Sequence, residues 1–330
     1  MNSEIRSTAI IGSGIAGLTL GNLLGRSGVA VTLFEKARGP GGRTASKRFS
    51  DSTVDMGAQY FTVRNERFRG FLEAFAGDCV QPWQGRLVHQ REDGDFEPYR
   101  ETTRWVGVPR MSALARALGT SLDIRYATPV RTARRADGAW YLETDSIVYG
   151  PYDTLAVTVP PEQAVQLLPG VETGACAFRM EPCWAVAVRF DASPEPGFDG
   201  AGLREPALGW VARNSSKPGR SGDRLSDWWL LHATPEWSRQ QLDTAPDEVA
   251  RMLVERFQTL LDSRARPLEW RAHRWRFARP HPDAGSPGCL SHPEQGLALC
   301  GDWLAGGRVE GAFLSAEALI ARWRELGLIS

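Results

Sequence analysis

This chain has no excess of charge of either sign: 39 lysines and arginines offset 39 aspartates and glutamates over 330 residues. The balance leaves no electrostatic footprint for nucleic acid or an anionic membrane. No apolar run approaches the length that spans a bilayer. Cysteine is sparse and scattered: Cys79, Cys176, Cys183, Cys289 and Cys300 include no CxxC pair. Their spacing argues against a disulfide framework and against a zinc or iron–sulfur site, so they read as small apolar fillers in a reduced compartment. His89, His232, His273, His281 and His292 show no metal-ligand spacing, and no metal is expected. Lysine occurs only at Lys36, Lys47 and Lys217. Internal repeats and low-complexity tracts are absent, and the opening MNSEIRST is too short and polar for a secretory leader. The expectation is a soluble, cytoplasmic protein of two domains.

What is present begins at residue 7. A short apolar strand (Ala9, Ile10, Ile11) meets Gly12-Ser13-Gly14-Ile15-Ala16-Gly17, and a helical pattern follows through Leu18, Leu20, Leu23 and Leu24. A second strand, Ala30 to Phe34, ends at Glu35. This order is that of a dinucleotide-binding unit. Gly12 permits the tight turn, Gly14 lets backbone approach a pyrophosphate, and Gly17 lets the helix pack on the strand, so the helix N-terminus faces the phosphates. Glu35 stands where a carboxylate accepts from ribose hydroxyls.

Further along, the pattern predicts a helix over 66–76, short strands over 80–105 broken by Glu92-Asp93-Gly94-Asp95, and a helix from about Arg110 through Leu118. A strand meander covers 124–159, with a hairpin near Ala136-Asp137-Gly138, and its last strand stops at Pro160-Pro161. Strands are expected at 183–190, 208–213, 226–233 and 268–277, separated by a turn-rich loop at 214–222. A helix over 247–262 places Val249, Leu253, Phe257 and Leu260 on one face; a strand at 296–302 and a helix at 311–326 close the chain. None of the 12 tryptophans precedes Trp83, and most of them fall in the middle antiparallel region, where they fill a core or flank a flat pocket.

Three segments favour FAD over NAD. Gly39-Pro40-Gly41-Gly42-Arg43 admits a close phosphate approach, with Arg43 as a bidentate donor. Asp55-Met56-Gly57-Ala58-Gln59-Tyr60-Phe61 can lay backbone amides and Gln59 along a ring edge. Cys300-Gly301-Asp302 ends a strand, and Arg308-Val309-Glu310-Gly311-Ala312 opens a helix whose N-terminus could stabilise an anion on a reduced flavin.

In the order GSGIAG, GGR, DMGAQYF, GVPRM and GD…VEGA the chain resembles the FAD-dependent amine-oxidase superfamily, and within it the renalases, particularly bacterial ones. The resemblance covers essentially the whole chain. It implies an α/β fold: a Rossmann-like FAD-binding domain of the glutathione-reductase or amine-oxidase type, with an α+β substrate domain of mixed or antiparallel sheet. The FAD domain would comprise 1–78, 104–168 and 278–330, and the substrate domain 79–103 and 169–277. Non-covalent FAD would be held by Gly12, Ser13, Gly14, Ile15, Ala16, Gly17, Glu35, Lys36, Arg43, Gly57, Ala58, Gln59, Tyr60, Val130, Gly301, Asp302, Val309, Glu310 and Ala312. In that set Val130 meets adenine, Glu35 the ribose, Arg43 the pyrophosphate and Asp302 the ribitol–phosphate region.

The resemblance also implies an activity: oxidation of the 1,2- and 1,6-dihydro isomers of NAD(P) to NAD(P)+, with oxygen reduced to hydrogen peroxide. Dihydronicotinamide dinucleotides and oxygen would then be the partners, with neither nucleic acid nor membrane. Loss of hydride from a dihydronicotinamide restores an aromatic ring and needs no general base, only stacking, exclusion of water and orientation. Trp275 and Tyr60 are expected to confine the ring, His232 and Asn214 to contact carboxamide or ribose, and Trp210 to line the pocket. The rivals are an amine oxidase on the same scaffold and a non-catalytic redox-sensing flavoprotein. Amine oxidases of the superfamily carry a lysine in the strand corresponding to 180–190. This chain has none there, and Lys217, in a glycine–proline loop, reads as a solvated surface charge.

Overall fold

The computed structural model describes residues 4–50, 52–99, 102–220 and 227–330. The chain opens with β1 (Ser7–Ile11), α1 (Ile15–Arg26) and β2 (Ala30–Phe34), followed by a hairpin, β3 (Ser46–Arg48) and β4 (Thr53–Asp55). Next come α2 (Glu66–Ala76), β5 (Val80–Pro82), β6 (Leu87–Gln90), β7 (Phe96–Pro98), β8 (Trp105–Gly107) and α3 (Ser112–Leu118). After β9 (Asp123–Arg125) lies a meander of β10 (Thr132–Ala136), β11 (Ala139–Glu143) and β12 (Val148–Tyr152), then β13 (Thr154–Val157) and α4 (Pro161–Leu167). The antiparallel part contains β14 (Met180–Phe190), β15 (Gly200–Gly202), β16 (Leu208–Arg213), β17 (Trp228–Ala233), α5 (Pro235–Gln240), α6 (Pro246–Leu260) and β18 (Pro267–Pro280). β19 (Leu290–His292), β20 (Leu297–Leu299) and α7 (Val309–Glu325) complete the fold.

Two sheets organise these elements. The first has strand order β19-β20-β13-β1-β2-β9 and is parallel except at β19. Its side chains alternate between two cores, as period-two strands require. Ile10, Ala156 and Ala298 meet α1, α3 and α7, whereas Ala9, Ile11, Leu155 and Val157 meet the β10–β12 meander and α4. This is the Rossmann-like arrangement expected of the N-terminal motif.

The second sheet, ordered β18-β14-β17-β16-β15-β6-β7, is antiparallel apart from the β15–β6 pair. One face (Trp184, Val186, Val188, Trp229, Leu231) packs on Val249, Leu253 and Phe257 of α6. The other (Ala185, Ala187, Trp228, Leu230) packs on Phe49, Val54 and Met56 of the β3–β4 hairpin. The inner face of this sheet therefore meets the segment that follows β4.

Several boundaries moved. The 311–326 helix starts at Val309, the 183–190 strand at Met180, and the helix expected from Arg110 at Ser112. Helices α4 and α5 were not foreseen; each is a single short turn or two behind a proline, too brief for a hydrophobic period. Ser221, Gly222 and Ser226 of the expected loop and strand lie outside the described residues. All five cysteines are unpaired, yet Cys176 is exposed, so it does not fill the core as expected. Among the described residues no helix is long and apolar enough to cross a membrane.

Two glycines of α1 test this packing. A Cβ on Gly17 would lie 2.1 Å from the Gly12 carbonyl oxygen, while one on Gly25 would meet nothing within 4 Å. Gly17→Ala should therefore cost about 1–3 kcal/mol as overpacking, and Gly25→Ala should gain up to about 1 kcal/mol from helix propensity. Urea denaturation midpoints of the two variants check this; equal effects would contradict the packing.

Candidate functional site

The turn between β1 and α1 has the geometry of a ligand cradle. Gly12 has φ +105°, and a Cβ there would meet Thr158 Oγ1 at 2.9 Å. Gly14, at the N-cap of α1, is different: a Cβ there meets nothing within 4 Å, no side chain caps the helix, and its first turn holds no acidic residue. The first N–H groups of α1 thus face open space with the positive end of the helix dipole behind them, which fits a pyrophosphate. A second glycine turn closes on the first: Gly41 N–H donates to Ser13 O at 2.9 Å, and a Cβ on Gly42 would stand 3.8 Å from Gly14 Cα.

Glu35 is held in place by the same turn. Its Oε2 accepts from Ser13 N–H at 3.0 Å and Ser13 Oγ at 2.8 Å, and its Oε1 from Ala37 N–H at 2.8 Å. Arg43 forks onto Asp302, with Nη1 to Oδ2 at 2.8 Å and Nη2 to Oδ1 at 2.5 Å, tying the N-terminal glycine turn to the turn after β20. Gly301 N–H donates to Ser315 Oγ at 2.8 Å, fixing that turn on α7. Val309 and Ala312 lie in the first turn of α7, whose N-cap, Arg308, supplies no side-chain bond. These residues converge and can hold a dinucleotide. Others in the expected set have different work. Lys36 is exposed, with Nζ 3.4 Å from Gln163 Oε1. Val130 packs against the core around Phe34. Glu310 Oε1 accepts from Arg64 N–H and Asn65 N–H at 2.7 Å, so its carboxylate is committed to the entry of α2.

Beyond the cradle lies the segment after β4. A Cβ on Gly57 would sit 1.9 Å from Arg43 O and 3.4 Å from Trp275 Cζ2, and Ala58 N–H donates to Arg43 O at 2.9 Å. Met56 O accepts from Trp275 Nε1 at 2.9 Å and lies 3.2 Å from His232 Nε2. Because a carbonyl can only accept, His232 carries its proton on Nε2 and presents a lone pair at Nδ1. Burial pushes the His232 pKa down to about 4, so the ring is neutral near pH 7. His273 is pushed down to about 4 by burial and by Lys47, whose Nζ stands 2.9 Å from its Nδ1. Burial also pushes the Cys183 thiol up to about 12.

Register explains why these groups meet. Glu97, His89, Gly202, Trp210, His232, Ala185 and His273 are successive cross-strand partners, one on each of the seven strands. Partners opposite one another share a sheet face. Cys183 and Trp275 form the next pair on that face. Tyr60 packs on Trp210 with ring centroids 5.4 Å apart.

Lys217 is not the surface charge expected of it. Its side chain is 0% exposed; Nζ donates to Gln59 Oε1 at 2.8 Å and to Asp55 Oδ2 at 3.3 Å. Asp55 Oδ1 accepts from Ser46 Oγ at 2.7 Å and Met111 N–H at 2.9 Å, and Arg220 donates to Oδ2. Burial opposes the Asp55 charge, but Lys217 and Arg220 outweigh it and hold its pKa below the usual carboxylate value. Burial lowers Lys217 to about 8 against the pull of Asp55. Two further expectations change with this network. Gln59 spends its amide on Asp55 O, Gly57 O and Lys217 rather than along a ring edge. Asn214, 1% exposed, donates to Thr53 O at 3.1 Å and accepts from Asp55 N–H at 3.2 Å, which corrects its expected contact with substrate. Both position the 53–59 segment. Asp55, Lys217 and Arg220 were missed as a unit because nothing local in KPGR marks a lysine as buried.

Residues 10–75 match the NAD(P)-binding Rossmann-like domain family, and residues 68–318 match the family of flavin containing amine oxidoreductases. Among solved structures the chain is similar to a protein from Exiguobacterium sp. 255-15 assigned as a protoporphyrinogen oxidase (16% identity, TM-score 0.76, 97% of this chain and 99% of that one). It is similar to a CLA-producing fatty acid isomerase from P. acnes (13%, TM-score 0.74, 98% and 99%) and to a putrescine oxidase bound to putrescine (11%, TM-score 0.72, 97% and 99%). Identities this low carry the fold alone. A hydroxyneurosporene desaturase from Rubrivivax gelatinosus is 44% identical over 55 residues, a match spanning 17% of this chain and 10% of the desaturase.

Two variants test the site. Gly14→Val adds bulk only to open space, so the protein should keep its urea midpoint when free of cofactor but purify without flavin absorbance; a fully yellow preparation would refute the cradle. Lys217→Met leaves Asp55 short of a buried partner and should cost about 3 kcal/mol. A change within about 0.5 kcal/mol, as for a surface residue, would restore the solvated reading.

Proposed function

The chain belongs to the family of flavin containing amine oxidoreductases, and from that premise we propose that it is an FAD-dependent oxidase of dihydronicotinamides. It takes hydride from the 1,2- and 1,6-dihydro isomers of NAD(P) and releases NAD(P)+. The two electrons, with the hydride's proton and one from solvent, convert oxygen to hydrogen peroxide. A bound flavin supplies the two-electron acceptor that no side chain can provide. The division into a cofactor part (1–78, 104–168, 278–330) and a substrate part (79–103, 169–277) belongs to this reading, as does non-covalent binding.

One observation carries it: His232, His273 and Cys183, on the sheet face around Met56, are held neutral. His232 and His273 are both pushed down to about 4 and Cys183 up to about 12. Imidazoles so lowered are weak bases, and a face of flat rings without a strong base suits a substrate that surrenders hydride and no proton. Trp275, edge-on to His273 at 4.3 Å and tethered by Met56 O, confines the ring from one side, and Tyr60 on Trp210 from the other. The Nδ1 lone pair of His232 accepts from a carboxamide or ribose hydroxyl. The amides of α1 orient the cofactor phosphates and Glu35 its ribose, while Arg43, its fork engaged by Asp302, braces the turn beside them rather than gripping the phosphates bidentately.

Amine oxidation is the second reading, favoured by the burial of Lys217 behind Gln59, since that lysine is not the solvated charge its loop suggested. Lys217 lies outside β14, and its ammonium is engaged by Asp55. Anaerobic mixing separates the two readings. The dihydro isomers should bleach the flavin absorbance within seconds, and a panel of primary and secondary amines should not; the reverse pattern would overturn the proposal. Trp275→Ala should slow that bleaching by about 10-fold or more while FAD content stays near stoichiometric, the size expected when a positioned ring is lost.

A further inference from the structure

On the inner face of the seven-stranded sheet, beyond Trp210, lie Arg104, Tyr99 and His89, which the reaction so far leaves unused. Arg104, just before β8, stacks its guanidinium on Tyr99 (4.4 Å to the ring centroid) and Tyr60 (5.2 Å). Tyr99 in turn lies 6.2 Å from Trp210 and 5.1 Å from His89. A Cβ on Gly202 would fall 2.2 Å from the Tyr99 hydroxyl, so the glycine in the row between His89 and Trp210 is what lets Tyr99 lie there. Among the described residues no carboxylate pairs with Arg104, and the one hydrogen bond of its guanidinium is from Nη1 to Thr102 O at 3.1 Å. Among the described residues two buried donors of the cluster have no partner, Arg104 Nε and Trp210 Nε1, whereas His89 pairs through Nε2 with Glu97 Oε1 at 2.7 Å, which leaves its Nδ1 an acceptor. A guanidinium stays charged at any ordinary pH, and buried donors left without acceptors are costly, so this arrangement lacks an anion.

We propose that Arg104, backed by Tyr99, Tyr60 and Trp210, is the subsite for a phosphate of the substrate. Gly202, beneath Tyr99, is two strands from His232, about 10 Å at the usual strand spacing. That is the reach from a nicotinamide ring across its ribose to the 5′-phosphate. The assignment rests on the dihydronicotinamide reading for the identity of the substrate, but the anion preference stands on the cluster itself. The stacked guanidinium is pre-organised, so phosphate binding there orders little that is not already fixed.

Two arms test this on the FAD-loaded protein. In the first, flavin bleaching by a dihydro isomer of NAD is compared with bleaching by the same isomer of nicotinamide riboside, which has no phosphate. Arg104→Gln should raise the Kd of the dinucleotide about 10- to 100-fold more than that of the riboside, the range for a lost charge-assisted contact, and Arg104→Lys should restore part of it. Equal losses for both substrates would overturn the phosphate assignment. The second arm titrates inorganic pyrophosphate at constant ionic strength and reads tryptophan fluorescence. Saturable binding in the native protein that is lost in Arg104→Gln supports the subsite even if no dihydro isomer bleaches the flavin, an outcome that removes only the substrate reading. Absence of binding, or binding of malonate in preference to pyrophosphate, would overturn it.

Discussion

The buried Asp55 carboxylate is the constraint on which the site depends. Four groups from three separate stretches of chain converge on it: Ser46 from the hairpin, Met111 N–H at the entry to α3, and Lys217 and Arg220 beyond β16, while Asn214 Oδ1 accepts from the backbone N–H of Asp55. A lone carboxylate at that depth would be neutralised by protonation. Two cations and the additional donors keep it charged, and the satisfied network then fixes geometry more than it adds stability. What it fixes is the run from Asp55 to Tyr60. Met56 O is held where His232 and Trp275 both meet it, and Gly57 where it rests on Arg43 O. Cofactor cradle and sheet face are joined through this one segment.

The glycines of the cradle show two separate requirements. Gly12 and Gly17 are needed by the protein itself, because any side chain would strike Thr158 or the Gly12 carbonyl. Gly14 is not: the space beside it is open, and it lies at the uncapped N-terminus of α1, where a pyrophosphate would approach the free N–H groups. The distinction gives the fit to a dinucleotide a basis in this structure, independent of the motif that suggested it.

Legibility in the sequence followed the range of the interactions. The strand–turn–helix unit, the Glu35 position and the helices over 66–76 and 246–260 were readable because their determinants lie within a few residues. The fate of polar side chains was not. Lys217 is buried because of Asp55, 162 residues earlier, and Asn214 is used by Thr53 and Asp55. Gln59, drawn into the same network, was readable as part of a motif but not as a strut. The seven-residue row from Glu97 to His273 is likewise a product of strand register, which local patterns do not encode.

Two regions beside that row divide the electrostatic work. Around Met56 the imidazole of His232 and the thiol of Cys183 are uncharged, since burial disfavours their ionised forms. Two strands away Arg104 keeps a charge that it cannot lose, spread over a planar fork and shielded by two aromatic rings. A neutral face cannot by itself select among flat reducible rings, because stacking is tolerant of their identity. A fixed cation at a set distance can, since it rewards only those rings that carry an anion on a tether of the right length. In the proposed dihydronicotinamide reaction, recognition is thereby placed away from the reacting carbon, and the rings near Met56 are left to exclude water.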